Sequence, residues 1–396
     1  MCIAMPTSTF LPNLGGVEVG IHNIAKRLVE RGHTPVIIAP RPHVIELRKK
    51  NWKLPYEVIS FPPRIWGILS RYPSTGFFVL DQFFRYLQWR YKFEFWHVTM
   101  GYPTGIAIVH FASKRNDINY LVRCAGEDIQ KSNEIGYGAR LDNTVDEIIQ
   151  KWLPRAQRLV AITESVAKEY QDLGVDESNI FRVPNGVDLE RFQGIEKRTS
   201  TRKDLGINDK TFVFLAVGRN HQKKNFTMLL DAAEILKEQG QQNFKVVIVG
   251  REVKNLSERV KLNHLSDLVV LLEQIGSESD TDLQLPSDSL VGLYQGADAF
   301  VFPSLMETFG IVLAEAMAAK LPIITTDAPG CRDLIRNGKD GIMVPSDDAL
   351  RLAEEMIKVM SDPEIRADLS KRAWMRAQDF SWNSVVDQYI DVYRQK

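Results

Sequence analysis

Residues 306–326 read METFGIVLAEAMAAKLPIITT, an apolar run that holds two glutamates, Glu307 and Glu315, eight positions apart. An unpaired buried polar group costs on the order of 2–7 kcal/mol, so each carboxylate needs solvent, a cation or a ligand. On one ideal helix they would stand roughly 80° apart in azimuth and about 12 Å apart along the axis, too far for a shared acid–base pair. A helix starting near Phe309-Gly310 arranges them differently, with Glu307 in the loop after FVFPS and Glu315 inside the helix. The amides around Phe309, Gly310 and Ile311 then face an anion, with one carboxylate on either side of it. A nucleoside-diphosphate sugar fits that disposition, its phosphates at the helix end and its hydroxyls at the two acids. A structural pairing of Glu315 with a nearby cation is the alternative.

Two further stretches carry matching chemistry. In FLAVGRNHQKKNFTMLLDAAEILKEQG, Arg219 and Lys224 flank a loop at the carboxyl end of an expected strand, where open α/β sheets bind ligands. A forked guanidinium and a point-charge ammonium suit a diphosphate. Lys223 competes with Lys224 for that role, and simple solvated charge is the plainer reading. In PNLGGVEVGIHNIAKRLVERGH, Gly15 and Gly16 precede a helix and let backbone approach a phosphate. A full G-x-G-x-x-G is missing, so on the pattern alone a simple tight turn before the helix is the plainer reading of the pair.

These loops need strands and helices to hold them. Short β-branched runs (CIAMP, TPVIIAP, EVIS, EFWHVT, NYLVRCA, RLVAIT) alternate with amphipathic segments. The pattern restarts after residue 205 with TFVFLAVG, KVVIVG, LVVLLEQIG, DAFVFPS, LPIITT and GIMVP. Such alternation predicts two α/β units with parallel sheets of five or six strands each. VPNGVDLERFQGIEKRTSTRKD, with Pro184 and Asn185-Gly186, is the expected linker. FSWNSVVDQYIDVYRQK reads as a closing amphipathic helix with Val385, Tyr389, Val392 and Tyr393 on one side.

The 396 residues include 50 Lys+Arg and 50 Asp+Glu, a balance that gives no sign of nucleic acid as a partner. The balance is uneven along the chain: residues 41–92 hold ten Lys/Arg against three Asp/Glu, together with twelve aromatics. Trp52, Trp66, Phe77, Phe78, Phe83, Phe84 and Trp89 are among them, a mixture suited to an anionic membrane surface or to stacking on an acceptor sugar. Cys2, Cys124 and Cys331 are scattered, which argues against a disulfide framework and for a reducing compartment. The N-terminal stretch lacks a signal-peptide pattern, and no apolar run approaches the roughly 20 residues that span a bilayer. A cytoplasmic protein is expected; for residues 41–92, peripheral contact at the inner face of a membrane stands beside the plainer alternative of aromatics in the core with basic residues solvated outside.

The segments GGVEVGIHNIAKRLVERGH, ITESV, VPNGVDLERF, VGRNHQKKN, ADAFVFPSLMETFGIVLAEAMA and the closing FSW, in this order and spacing, resemble retaining glycosyltransferases of the GT-B fold, family 4 type. The resemblance runs nearly end to end. It implies two Rossmann-like domains facing across a central cleft, with the C-terminal helix returning to the N-terminal domain. Residues 1–188 (with 380–396 crossing back) would bind the acceptor, and 189–379 the nucleotide-sugar donor. Glu307 matches the first acid of the family's E-x7-E motif, which contacts the donor sugar, and Glu315 the second, at the ribose. Arg219 and Lys224 match the diphosphate-binding pair, and Gly16 the glycine loop.

The chain also departs from the pattern. Ala125, in RCAGEDIQ, stands where the family often has His, leaving Glu127 and Asp128 as candidates for sugar or acceptor contacts. His97 is a further candidate, expected at a strand end facing the cleft, with a structural role as the alternative. Lys320, where the family often has Gly, reads as a turn variation. Asp280-Thr281-Asp282 mimics a metal-binding D-x-D but lies in an acidic, serine-rich stretch. A solvated loop is expected there, and no metal or other cofactor.

The expected reaction moves a sugar from a nucleotide donor, UDP ahead of GDP, to a hydroxyl acceptor such as a glycan or lipid-linked glycan. The resemblance suggests retention by front-face attack. A silent nucleotide-sugar-binding subunit and a nucleotide-sugar 2-epimerase are the rival readings.

Overall fold

The computed structural model describes residues 1–194, 196–273 and 283–395. The chain divides into two compact units. The first comprises Met1–Asn185 together with Trp382–Lys396, and the second most of what lies between.

In the first unit the strands are β1 (Cys2–Pro6), β2 (Thr34–Ala39), β3 (Glu57–Ser60), β4 (Phe95–Thr99), β5 (Tyr120–Arg123), β6 (Leu159–Ala161) and β7 (Ile180–Arg182). They form one parallel sheet of order β3-β2-β1-β4-β5-β6-β7. Strand β7 goes beyond the sequence reading, because three residues running into Val183-Pro184 offer too little periodicity to register. The strands are apolar on both sides, as a parallel sheet covered by helices requires. Ile3, Ala4, Ile37, Ile38 and Leu121 are fully buried.

The last helix, Trp382–Arg394, packs back onto this sheet. Val385 and Tyr389 are completely buried and Val392 and Tyr393 nearly so, which makes the apolar stripe read from the sequence the anchor of the C-terminus. Burying each side chain of that size stabilises by roughly 1.5–3 kcal/mol. Arg31 adds a hydrogen-bonded ion pair to Asp387 at 2.6 Å.

The second unit holds β8 (Phe212–Val217), β9 (Phe244–Val249), β10 (Val269–Leu272), β11 (Ala299–Phe302), β12 (Ile323–Thr326) and β13 (Ile342–Val344). Its parallel order is β10-β9-β8-β11-β12-β13. The winding direction reverses between β8 and β11, as it does between β1 and β4 in the first unit. In such sheets the crevice at the carboxyl ends of the two switch-point strands is where ligands bind.

The stretch expected as a polar linker is instead largely helical. Leu189–Gln193 and Arg198–Asp204 form short helices on the second unit. Arg191 bonds Asp288, while Arg198 and Arg202 grip the two oxygens of Asp298 at 2.6 and 2.5 Å. Local composition looked loop-like because these basic residues find their acids about a hundred positions away. The Asp280-Thr281-Asp282 triplet lies outside the described residues.

Candidate active site

Strand β8 ends at Val217, and the chain turns through Gly218 into a 3-10 turn, Gln222–Lys224, before the Phe226–Glu238 helix. Lys224 is carried on that turn. Its Nζ lies 2.6 Å from Glu307 Oε1 and 4.6 Å from the centre of the Phe302 ring. Lys223 approaches the same carboxylate oxygen at 3.5 Å. Arg219, one residue beyond Gly218, is exposed.

Glu307 is reached from the neighbouring switch-point strand, β11, whose chain continues through Pro303 and Ser304. Its backbone amide donates to Pro329 O at 2.9 Å. Gly330, at φ +78°, passes directly beneath. A Cβ there would lie only 2.6 Å from the carbonyl carbon of Glu307 and 2.9 Å from its Cβ. The Pro329-Gly330 turn therefore acts as a floor that fixes where the carboxylate stands.

This pair is buried, and the charges support one another. Burial works to raise the Glu307 pKa, but Lys224 and Lys223 outweigh it and hold the carboxyl below its ordinary range. Burial pulls the Lys224 pKa down, against the opposing pull of Glu307. A desolvated ammonium with a hydrogen-bonded carboxylate is a strong, directional arrangement.

Glu315 lies within the Ile311–Ala318 helix, which starts one residue after Gly310 (φ +76°). Phe309 is buried edge-on against Phe380, with ring centres 5.6 Å apart. Leu313 N donates back to Gly310 O at 2.8 Å, and the leading amides of a helix in general suit an anion. Glu315 accepts a hydrogen bond from Tyr294 Oη at 2.8 Å. Burial raises its pKa to about 7, with the Tyr294 hydroxyl pulling the other way. The cation considered as a structural partner for Glu315 is thus replaced by a phenol. Tyr294 and Gly330 were both missed by sequence reasoning, since neither has a local signal that points to a glutamate.

The second unit therefore brings Lys224 and Glu307 into contact and sets Glu315 on the adjoining helix. The remaining candidates belong to the first unit. Gly15 caps the Gly16–Glu30 helix in an extended conformation. The Glu18 carboxylate curls back over it: a Cβ on Gly15 would come within 2.9 Å of Glu18 Oε2. Glu18 also accepts from the Thr9 hydroxyl. A carboxylate at that end of a helix is favoured by the free amides, and Glu18 was not among the residues singled out from the sequence.

His97 corrects an expectation. It sits in the middle of β4, completely buried, with Nδ1 2.6 Å from Tyr393 Oη and its ring 4.7 Å from that of Tyr389. Burial, reinforced by Arg123, lowers its pKa to about 3. It is a neutral core histidine that seats the C-terminal helix. Asp128 is likewise structural: one oxygen accepts from the amides of Ala125 and Gly126 at 2.9 and 2.7 Å, and the other from Gly101. Burial pushes its pKa up against those three amides. Glu127, by contrast, is exposed, and Ala125 is half-buried beside it.

Among the described residues, no group of three or more His, Cys, Asp or Glu is placed to hold a metal ion. Nor is any described helix long and apolar enough to cross a membrane.

Comparison with known proteins decides the family. Residues 14–191 match the family described as Glycosyltransferase Family 4, and residues 197–375 match Glycosyl transferases group 1. The chain belongs to the family 4 glycosyltransferases. Within that family it is 32% identical over 255 residues to a D-inositol 3-phosphate glycosyltransferase of Corynebacterium jeikeium, covering 62% of this chain and 59% of the relative. A namesake from Pseudarthrobacter chlorophenolicus is 29% identical over 295 residues, covering 73% of this chain and 65% of the relative. The chain thus spans about three-fifths of the length of the curated relatives it matches.

Solved structures of the same two-domain form match over its whole length. A glycosyltransferase from Rickettsia africae aligns with TM-score 0.78 at 20% identity, covering 99% of this chain and 97% of that one. Anabaena HepE, solved with UDP and glucose, aligns with TM-score 0.76 at 18% identity, covering 99% of each chain. The fold of this family 4 member is GT-B.

Proposed function

We propose that the protein transfers a sugar from a nucleoside-diphosphate donor, with UDP favoured, to a hydroxyl acceptor, with retention at the anomeric carbon and without a metal. The observation that carries this reading is the buried Lys224–Glu307 pair at the carboxyl ends of the switch-point strands β8 and β11. Lys224 and Arg219 supply positive charge for the diphosphate, and the amides at Phe309, Gly310 and Ile311 supply hydrogen-bond donors. Glu307 offers its negative charge to sugar hydroxyls. Glu315, joined to Tyr294, offers an acceptor to the ribose. Gly15 and Gly16, at the start of the Gly16–Glu30 helix, are proposed as phosphate-contacting residues.

In this mechanism the bond from the anomeric carbon to the leaving phosphate oxygen breaks, and its electron pair goes to the diphosphate. Arg219, Lys224 and the helix amides hold that charge, work that elsewhere falls to a divalent cation. The acceptor oxygen bonds to the same face of the sugar, and its proton passes to an oxygen of the departing diphosphate. UDP is favoured because HepE was solved with UDP and with UDP-glucose. The acceptor assigned is a glycan or lipid-linked glycan, met at the inner face of a membrane with residues 41–92 as the contact region. Glu127, exposed at the carboxyl end of β5, remains the candidate for an acceptor contact. The rival reading, a silent binding subunit, draws its support from Ala125.

Proton NMR of the protein with UDP-, GDP- and ADP-sugars, in EDTA, tests the reading. D-Inositol 3-phosphate and simple glycans serve as acceptors. Formation of an α-linked product, or slow release of free sugar as the α-anomer, supports it. Binding of nucleotide without turnover under any of these conditions would instead favour the silent subunit.

A further inference from the structure

The helix Pro73–Tyr91 separates its aromatic residues into two populations. Phe77, Leu80, Phe84 and Leu87 face the core. Phe78, Tyr86 and Trp89 do not: they are 64%, 51% and 75% exposed. At about 100° per residue, Phe78, Arg85, Tyr86 and Trp89 fall within a stripe roughly 100° wide, opposite the buried face. Tyr86 and Trp89 adjoin, with ring centres 6.2 Å apart. A soluble helix does not ordinarily turn three large aromatics to water along one line.

The charge around this stripe is mostly positive; the exposed acid Glu57, which accepts from the Tyr91 hydroxyl at 2.9 Å, acts on Arg90 at one end of it. Arg64, Arg71, Arg85, Arg90 and Lys92 are all exposed, and among the described residues none of them makes an ion pair with an acid. The single acid between residues 58 and 93, Asp81, is on the buried side, where it meets His110 at 3.1 Å and Lys114 at 3.4 Å. Apart from Glu57 near Arg90, the protein places no acid against these basic side chains among the described residues. Tyr72, 58% exposed at the start of the helix, extends the aromatic surface beside Arg71.

We infer that the Phe78–Arg85–Tyr86–Trp89 face of this helix is the surface that docks on an anionic phospholipid bilayer, with the rings in the headgroup region and the arginines on lipid phosphates. This deepens the assignment of residues 41–92 and narrows it. Phe77 and Phe84 are excluded as core, and Trp52, Trp66 and Phe83 are only partly exposed. Aromatic rings favour the water–lipid boundary, and unpaired cations favour anionic headgroups. A protein partner of ordinary polarity would leave Arg64, Arg71, Arg85 and Lys92 without countercharge.

Vesicle flotation of the full chain, with no donor or acceptor present, tests this independently of any transfer activity. Vesicles of phosphatidylcholine alone are compared with an equal mixture of phosphatidylcholine and phosphatidylglycerol. The chain is expected to float with the mixture and not with phosphatidylcholine alone, and to be released as salt shortens the screening length from ~10 Å at 0.1 M to ~3 Å at 1 M. Arg85→Gln and Arg90→Gln should each lower partitioning about fivefold, and Phe78→Ser with Trp89→Ser should abolish it, all with unchanged thermal midpoints. Absence of binding to the anionic vesicles at low salt overturns the inference. So does binding that survives the Phe78/Trp89 double substitution, or a lipid-independent dimer that the same substitution dissociates.

Discussion

Lys224 and Glu307 are 83 positions apart in the chain and 2.6 Å apart in space. One follows β8 and the other β11, the two strands between which the winding of the second sheet reverses. The pair thus stands at the place where an open α/β sheet leaves a crevice, already charged and desolvated.

Removing either partner should act on both chemistry and stability. Glu307→Gln keeps the shape and is expected to lower turnover about 10²–10³-fold, the scale of losing one preorganised electrostatic group. Lys224→Met should also destabilise, on the order of 3–5 kcal/mol, because it leaves a carboxylate buried with one cation fewer. Denaturant titration of Lys224→Met, Glu307→Gln and the double variant reads this directly: the double variant should be more stable than Lys224→Met alone.

Glu315 makes the stability of the free protein depend on pH. Its folded pKa, about 7, is above the ordinary glutamate value of 4.5. The folded state therefore holds the proton more tightly. The resulting stabilisation is complete below pH 4.5 and disappears as pH rises through about 7. Glu315→Gln should flatten stability across that window. If the carboxylate accepts from ribose hydroxyls, UDP binding near neutral pH should release a proton. Calorimetry in buffers of different ionisation enthalpy would detect it, and should find no release in Glu315→Gln.

Gly330→Ala tests whether the floor beneath Glu307 matters. The added methyl would overlap the Glu307 backbone, and φ +78° disfavours any side chain there. Turnover should fall about 10²-fold, as expected for a misplaced reactive group. The Tm should fall as well. Normal kinetics in a folded Gly330→Ala variant would show that the Glu307 backbone can shift without consequence.

Tyr393→Phe should affect stability and leave chemistry alone. It strips His97 Nδ1 of its 2.6 Å partner inside the core, at an expected cost of about 1–3 kcal/mol. The double variant His97→Phe/Tyr393→Phe removes both polar atoms and should recover part of that loss. KM and kcat are expected to stay near those of the unaltered protein. A pronounced change in acceptor KM would restore His97 as a functional residue.

The sequence by itself determined the alternation of strands and helices, the loops that follow β1, β8 and β11, and the family. Those are local signals: β-branched runs, glycines before helices, and motifs of fixed spacing. It also determined that Glu307 and Glu315 serve different positions, because helix geometry forbids a dyad at that spacing. Tertiary structure alone decided which atoms meet. Lys224 rather than Lys223 makes the short contact with Glu307, and a phenol from Tyr294, 21 positions before it, meets Glu315. His97 and Asp128 turned out to be fastened inside the first unit, and the linker's basic residues are spent on distant acids. Burial is a property of the assembled sheet and its covering helices, so no local pattern reports it. The same limit separates Phe77 from Phe78, adjacent in sequence, one in the core and the other facing water.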